Sequence, residues 1–360
     1  MKSISGYKPL LCVDNGVLVS RGDRLFMSSI DLDYFEPLCK LPTSAFPRVR
    51  LLERILRGGI QTATPLAGNS VLVVRGREIW RTSLASGTCE LEFQLPEGRK
   101  LLNLTSITGV QGFDNVVCFG EYFFNPAMEP VRIWTRPIEP SGKWSIACVF
   151  GAGEINHIHN IIADAKMGGA WVLTGDFGHG AAIWFAKNGF GTIAPILRGA
   201  QNCRAAWLCA GANQSYMFAT DTQMAPNTLN VLRASDGGWS AEPIYSLEGS
   251  SIYAGQGTDC AVFSTTVEPG EPSGKFIKDL FDVQLGPGIR SRFAAIYTID
   301  SEGTLTELFR RTKDRLPFRL FQFGTFSFPG GVFPVGYIYA YGIALVDYDD
   351  TCLIFQKERD

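Results

Sequence analysis

Short apolar and aromatic runs alternate with turns bearing Gly, Pro, Asp or Ser along the whole chain. Runs of this kind, bounded by turn residues, predict strands. No segment sustains helical spacing over about 12 residues or more, although the Leu and Ile spacing of RVRLLERILRGG (48–59) predicts one short helix. The pattern also repeats. An apolar strand, a turn and a second strand with an apolar-aromatic end recur from Arg24, Glu78, Val131, Ala181, Leu229, Ala294 and Ile343, at a spacing of roughly fifty residues, the size of a propeller blade. Two further strand-like runs lie between consecutive units, as in HIHNIIAD and AWVLTGD separated by AKMGG. The expectation is an all-β propeller of four-stranded blades, one domain over residues 1–360. Seven blades are expected, with six as the alternative if the irregular first and last units share a blade.

Composition narrows the partners. The chain has 33 Lys plus Arg against 35 Asp plus Glu and no long block of either sign, so it has no electrostatic footprint for nucleic acid or an anionic membrane. At 46% hydrophobic residues it has ample material for a large core. No run approaches the roughly 20 apolar residues of a membrane span. The opening MKSISGYKPLLCVDNGVLVS lacks the apolar core and cleavage site of a secretory signal and is expected to form the first strands. A soluble, cytoplasmic protein is expected. The nine cysteines are odd in number and show no clustered spacing, several within apolar runs, which points to reduced thiols acting as small apolar side chains rather than to disulfides or zinc.

The turns within the repeats carry a worn form of the Asp-box, S-x-D-x-G-x-T-W: Ala234-Ser235-Asp236-Gly237-Gly238-Trp239 is the fullest copy, with parts kept in Asn188-Gly189-Phe190-Gly191-Thr192 and Ser141-Gly142-Lys143-Trp144. With the runs GEYFFN, INHIHN, WVLTGD, RGAQNCR and ATDTQMAPN, the chain resembles the sialidase-like propeller proteins associated with bacterial surface polysaccharide. The resemblance implies a propeller over nearly the full chain and a function connected with glycans. The three-arginine cluster and the Tyr–Glu nucleophile of true sialidases have no counterpart here, so sialidase activity is not expected.

Propeller topology gathers the starts of inner strands and the ends of second strands around one mouth of the channel. The first group supplies Arg57, Asn103, His157, His159, Arg204 and Tyr253; the second supplies Glu121, Tyr122, Asn125, Asp176, His179, Asp221, Thr222 and Glu268. All three histidines of the chain fall in one repeat, and His157 and His159, two apart on a strand, share a face. His157, His159 and His179 are candidate ligands of a divalent metal. His157, His159, Asp176, Glu121 and Asp221 are equally candidates for acid-base work, and a solvated channel lining without chemistry is the third reading. Glu154 completes E-x-x-H-x-H, which resembles in outline the metal-dependent propeller lyases that cleave oligogalacturonate.

Four acids, Glu121, Asp176, Asp221 and Glu268, end second strands in different repeats, as a hydrolase with two carboxyls would need. Arg57 and Arg204 are candidates for holding an acidic sugar, with Tyr122, Asn125, Tyr253 and Glu268 beside them and Trp207 as a further ring face. A glycan-active enzyme, hydrolase or lyase, on an acidic bacterial poly- or oligosaccharide is expected; a propeller that binds a glycan or a protein without chemistry is the alternative.

Overall fold

The computed structural model describes residues 1–14, 16–42, 49–258 and 260–356. Seven antiparallel four-stranded sheets ring a central channel, which excludes the six-blade alternative. Blades one to six run in simple order: Lys8–Val13 to Phe35–Lys40, Ile60–Leu66 to Cys89–Gln94, Thr105–Ile107 to Ser145–Phe150, His157–Asp164 to Thr192–Arg198, Cys209–Ala210 to Gly238–Leu247, and Ala254–Gln256 to Leu305–Thr312.

Blade seven differs. Thr325–Ser327, Tyr337–Ile343 and Thr351–Gln356 supply its first three strands, and Lys2–Ser5 from the other end of the chain supplies the fourth, with Ile4 opposite Cys352. The repeat unit expected to start at Ile343 is therefore one strand early. Its run covers the end of a second strand, a connection and a third strand, because the outermost strand is at the N-terminus. This pairing closes the ring and leaves no free inter-blade edge at the join.

The apolar-aromatic signature of the repeats has a structural reason. In six blades the pairing of third with fourth strand slips by one residue, at Leu25/Phe26, Ile79/Trp80, Ile133/Trp134, Ile183/Trp184, Leu229/Asn230 and Ile296/Tyr297. Such bulges sharpen the twist of the outer edge. In five of these blades the residue after the slip is an aromatic that packs in the seam or core, as Trp184 does against Phe150 of the preceding blade. Second strands are the most buried, since neighbouring blades cover both faces: every residue of Gly169–Gly175 is buried. The outer strand Thr192–Arg198 keeps one face in water.

The turn Ala234–Trp239 joins the third and fourth strands of blade five, with Ser235 opposite Gly238 and the Ser235 hydroxyl donating to the Gly238 carbonyl at 3.0 Å. Trp239 packs edge-on to Trp171 of blade four, centroids 5.6 Å apart. The expected helix forms at Arg50–Leu56; Arg48, in the run that predicted it, lies outside the described residues. None of the nine cysteines forms a disulfide. They are not all isolated, however: Cys39 and Cys89, on the outer strands of blades one and two, bring their sulfurs within 2.7 Å. Among the described residues no helix is long and apolar enough to cross a membrane.

Candidate metal centre at the channel mouth

The inner strand of blade four begins at His157, and a register shift between Ile158 and Asn160 lets His157 and His159 turn toward the end of the second strand. Gly175 faces them there. A Cβ on Gly175 would lie 2.4 Å from the His159 ring, so only glycine leaves room for that imidazole. The next residue, Asp176, is held by its backbone N–H on Asn156 Oδ1 at 3.0 Å and by Gln201 Nε2 donating to its carbonyl at 2.8 Å.

Hydrogen bonds settle the ring nitrogens. His157 Nδ1 lies 3.1 Å from the Phe123 carbonyl and His159 Nδ1 lies 2.9 Å from the Ala205 carbonyl. A carbonyl only accepts, so each Nδ1 carries a proton, and the neutral form of each ring presents its lone pair at Nε2. The two Nε2 atoms are 3.0 Å apart, and Asp176 Oδ1 lies 3.3 Å from the first and 3.6 Å from the second. Three possible ligand atoms thus converge on one point.

That triangle fits a divalent cation. Ligands bound at about 2.0–2.2 Å sit roughly 3–3.5 Å from one another, and the carbonyls behind both rings are the outer partners that metal-binding imidazoles use. The protonation states fit as well. Burial pushes His157 below the ordinary histidine range, against the pull of Asp176. Burial alone would raise the Asp176 carboxyl, but hydrogen bonds from His157 and His159 whenever those rings carry a second proton, together with the Arg204 charge, overcome it and hold the group well below the usual carboxylate range. Neutral imidazoles and an ionised carboxylate are the ligand forms of these groups.

Arg204 joins blade four to blade five. Its Nη2 lies 2.9 Å from Asp176 Oδ1, its Nε 3.8 Å from Asp221 Oδ2, and its Nη1 donates to Gln223 Oε1 at 3.1 Å. Asp221 also lies 3.7 Å from His159 Nδ1. Glu268, buried in blade six, accepts from the Ser250 hydroxyl; burial first and the Asp221 charge second raise its carboxyl to about 7. The Tyr122 ring lies 4.2 Å from that of His157.

Tyr122 is also the link to the channel. A cavity of about 320 Å³ opens beside it, lined by Arg57, Asn103 and Tyr253 among others. These residues come from inner-strand starts and second-strand ends, the face that the topology selects.

Other candidates lie elsewhere. His179, expected as the third ligand, is exposed on the Gly178–Gly180 turn and donates from Nε2 to the Gly153 carbonyl at 2.7 Å; Asp176 takes the place beside His157 and His159. Glu121 is fully buried and turned into blade three, accepting from the Trp134 indole at 3.1 Å and the Arg132 backbone at 3.2 Å, with Arg99 at 3.5 Å. Asn125 does not face the cavity: it bonds Glu129 and exchanges amide-to-carbonyl bonds with Asn156, so it positions the residue that holds Asp176. Thr222 bonds Gln201 Oε1 at 2.6 Å and supports the same loop. Trp207 is core, donating to Ser251 at 2.7 Å. Glu154 accepts from its own loop at Gly151. Lys8, Arg50 and Lys100 line the cavity and carried no sequence signal, since cations at strand starts are commonplace.

No family model matches the chain, and no curated protein matches it. Among solved structures it is similar to an oligogalacturonate lyase in complex with manganese, with a TM-score of 0.57 and 10% identity over 99% of this chain and 90% of that one. It is similar also to a chain of the mitotic checkpoint complex, with a TM-score of 0.54 and 8% identity over 99% and 91%. The fold is a seven-bladed β-propeller. At such identities the likeness is one of fold alone, and the sialidase-like resemblance rests on the turns and runs quoted above.

Proposed function

We propose that the protein is a divalent-metal-dependent enzyme that cleaves an acidic oligosaccharide by β-elimination at the channel mouth. The observation that carries this reading is the meeting of His157 Nε2, His159 Nε2 and Asp176 Oδ1 at one point. A divalent cation held by these ligands supplies neutralisation of the sugar carboxylate, which acidifies the adjacent C–H. Arg204 fixes Asp176 in place and adds positive charge at the same point. Tyr122 offers a ring edge between the triad and the cavity.

Glu268 is the group that exchanges a proton near neutral pH, since its carboxyl is raised to about 7. It takes the proton alpha to the sugar carboxylate, the bond from the beta carbon to the glycosidic oxygen breaks, and a carbon–carbon double bond forms. The leaving oxygen then takes up a proton. One structure of the same fold is an oligogalacturonate lyase holding manganese, which pairs this fold with a divalent metal and an acidic sugar.

Incubation with Mn²⁺ and a panel of uronate-containing oligosaccharides tests the reading through the ultraviolet absorbance of the unsaturated product. Product is expected with Mn²⁺ and is expected to vanish with EDTA or with Asp176→Asn. Binding of both Mn²⁺ and uronate without turnover would make the protein a glycan-binding propeller instead.

A further inference from the structure

Across the channel from the triad, the cavity wall carries four cations, Lys8, Arg50, Arg57 and Lys100, against two acids, Glu53 and Asp350. The acids are already engaged. Asp350 accepts from the Tyr341 hydroxyl, and Glu53 lies 3.9 Å from Arg50, which is itself held in a two-pronged pair by Asp349 at 2.9 and 2.7 Å. Lys8 has no such partner. It sits at the start of the inner strand of blade one, and its ammonium donates to the carbonyls of Ile60 at 3.1 Å and Gln61 at 2.8 Å. Among the described residues no carboxylate lies within ion-pair distance of it, and burial, then Arg50, pushes it down to about 8. Arg57 is in the same position: its contacts are the Arg319 carbonyl at 3.3 Å and the Phe323 ring.

A partly buried cation held by neutral carbonyls and a ring face, as Lys8 is by Ile60, Gln61 and the Tyr341 ring at 5.9 Å, is further stabilised by an anion brought by a ligand. The cavity volume, about 320 Å³, lies at the low end of the roughly 300–1,000 Å³ usual for small-molecule sites, the scale of one or two sugar units. We infer that Lys8, with Arg57 beside it, forms a subsite for the carboxylate of a hexuronate unit, so that an acidic oligosaccharide spans the mouth from blade one, past Tyr122, to the triad of blade four. This deepens the carbohydrate reading above and rests on it.

Titration calorimetry of the full chain with a short oligogalacturonate, in EDTA so that no metal contributes, tests the subsite. Wild type is expected to bind, a neutral galactose oligomer of the same length is not, and Lys8→Met is expected to weaken binding at least about 10-fold with its thermal midpoint kept. Equal binding by Lys8→Met, equal binding of the neutral oligomer, or no binding by wild type overturns the subsite. Competition by inorganic phosphate at equal concentration overturns its assignment to a carboxylate. Arg57→Gln, at an exposed position, is expected to weaken binding about threefold and keeps the test open if Lys8→Met fails to fold; unchanged binding there counts against the subsite. Mn²⁺ titration separates the two readings. Lost uronate binding with Mn²⁺ binding intact removes the subsite alone, whereas Lys8-dependent uronate binding with Mn²⁺ binding indifferent to His159→Ala removes the metal reading alone.

Discussion

Glu121 and Asp176 leave the same corner of adjacent blades, each just past the end of a second strand, yet their surroundings differ completely. In blade three the Trp134 indole, the Arg132 backbone and the Arg99 guanidinium fill the carboxylate, and the acid is sealed from solvent. In blade four the corresponding acid meets two imidazoles whose donors are already spent on backbone carbonyls. The first arrangement is complete within the protein. The second leaves lone pairs directed at a shared point, and that incompleteness, rather than strand-end position, is what marks a site. Glu154 of the same blade, satisfied by its own loop at Gly151, falls with Glu121 on the structural side.

Substitutions separate the two corners. Glu121→Ala leaves the Trp134 indole and the Arg132 N–H without their acceptor and should destabilise the fold by about 1–3 kcal/mol while leaving Mn²⁺ affinity unchanged; denaturant unfolding and calorimetry measure the two. Asp176→Asn should instead lower Mn²⁺ affinity at least about 100-fold, or about 2.7 kcal/mol, with the fold retained because Asp221 still faces Arg204. If both variants lost metal binding equally, the contrast between the corners would disappear.

Glu268 adds a pH dependence. Its carboxyl is raised from 4.5 to about 7 in the folded state, so the folded protein holds this proton more tightly than the unfolded chain. The stabilisation is fully present below about pH 4.5 and is lost as pH rises through about 7, an effect on the order of 3 kcal/mol. Glu268→Gln should flatten that fall in unfolding free energy between pH 4.5 and 8. A persistent slope would assign it to other groups. The smallest effect belongs to the Asp-box-like turn. Ser235→Ala removes one exposed hydroxyl bond and should cost no more than about 0.5 kcal/mol, without affecting metal or uronate binding.

The architecture was legible because a propeller repeats its physics: the slip between third and fourth strands recurs at the aliphatic–aromatic pair of most units. Only blade seven broke the reading, since its last strand lies at the other end of the chain. The histidine pair was legible from spacing, but the third ligand was not. Whether His179 or Asp176 completes the set depends on the Gly178–Gly180 turn, which carries His179 out to the Gly153 carbonyl. Lys8 was invisible because its significance is a missing partner, and sequence does not show what a charge fails to meet. The Cys39–Cys89 approach had a readable signal that spacing within a motif conceals: the two thiols are fifty residues apart, one blade period, and so share the outer edge of neighbouring blades.

The most direct test of the metal centre is a crystal of the full chain soaked in Mn²⁺, with anomalous scattering recorded at the metal edge. The expected result is one strong peak about 2.0–2.3 Å from His157 Nε2, His159 Nε2 and Asp176 Oδ1 together. A triad without a peak, or a peak bound by His179 instead of Asp176, would contradict it.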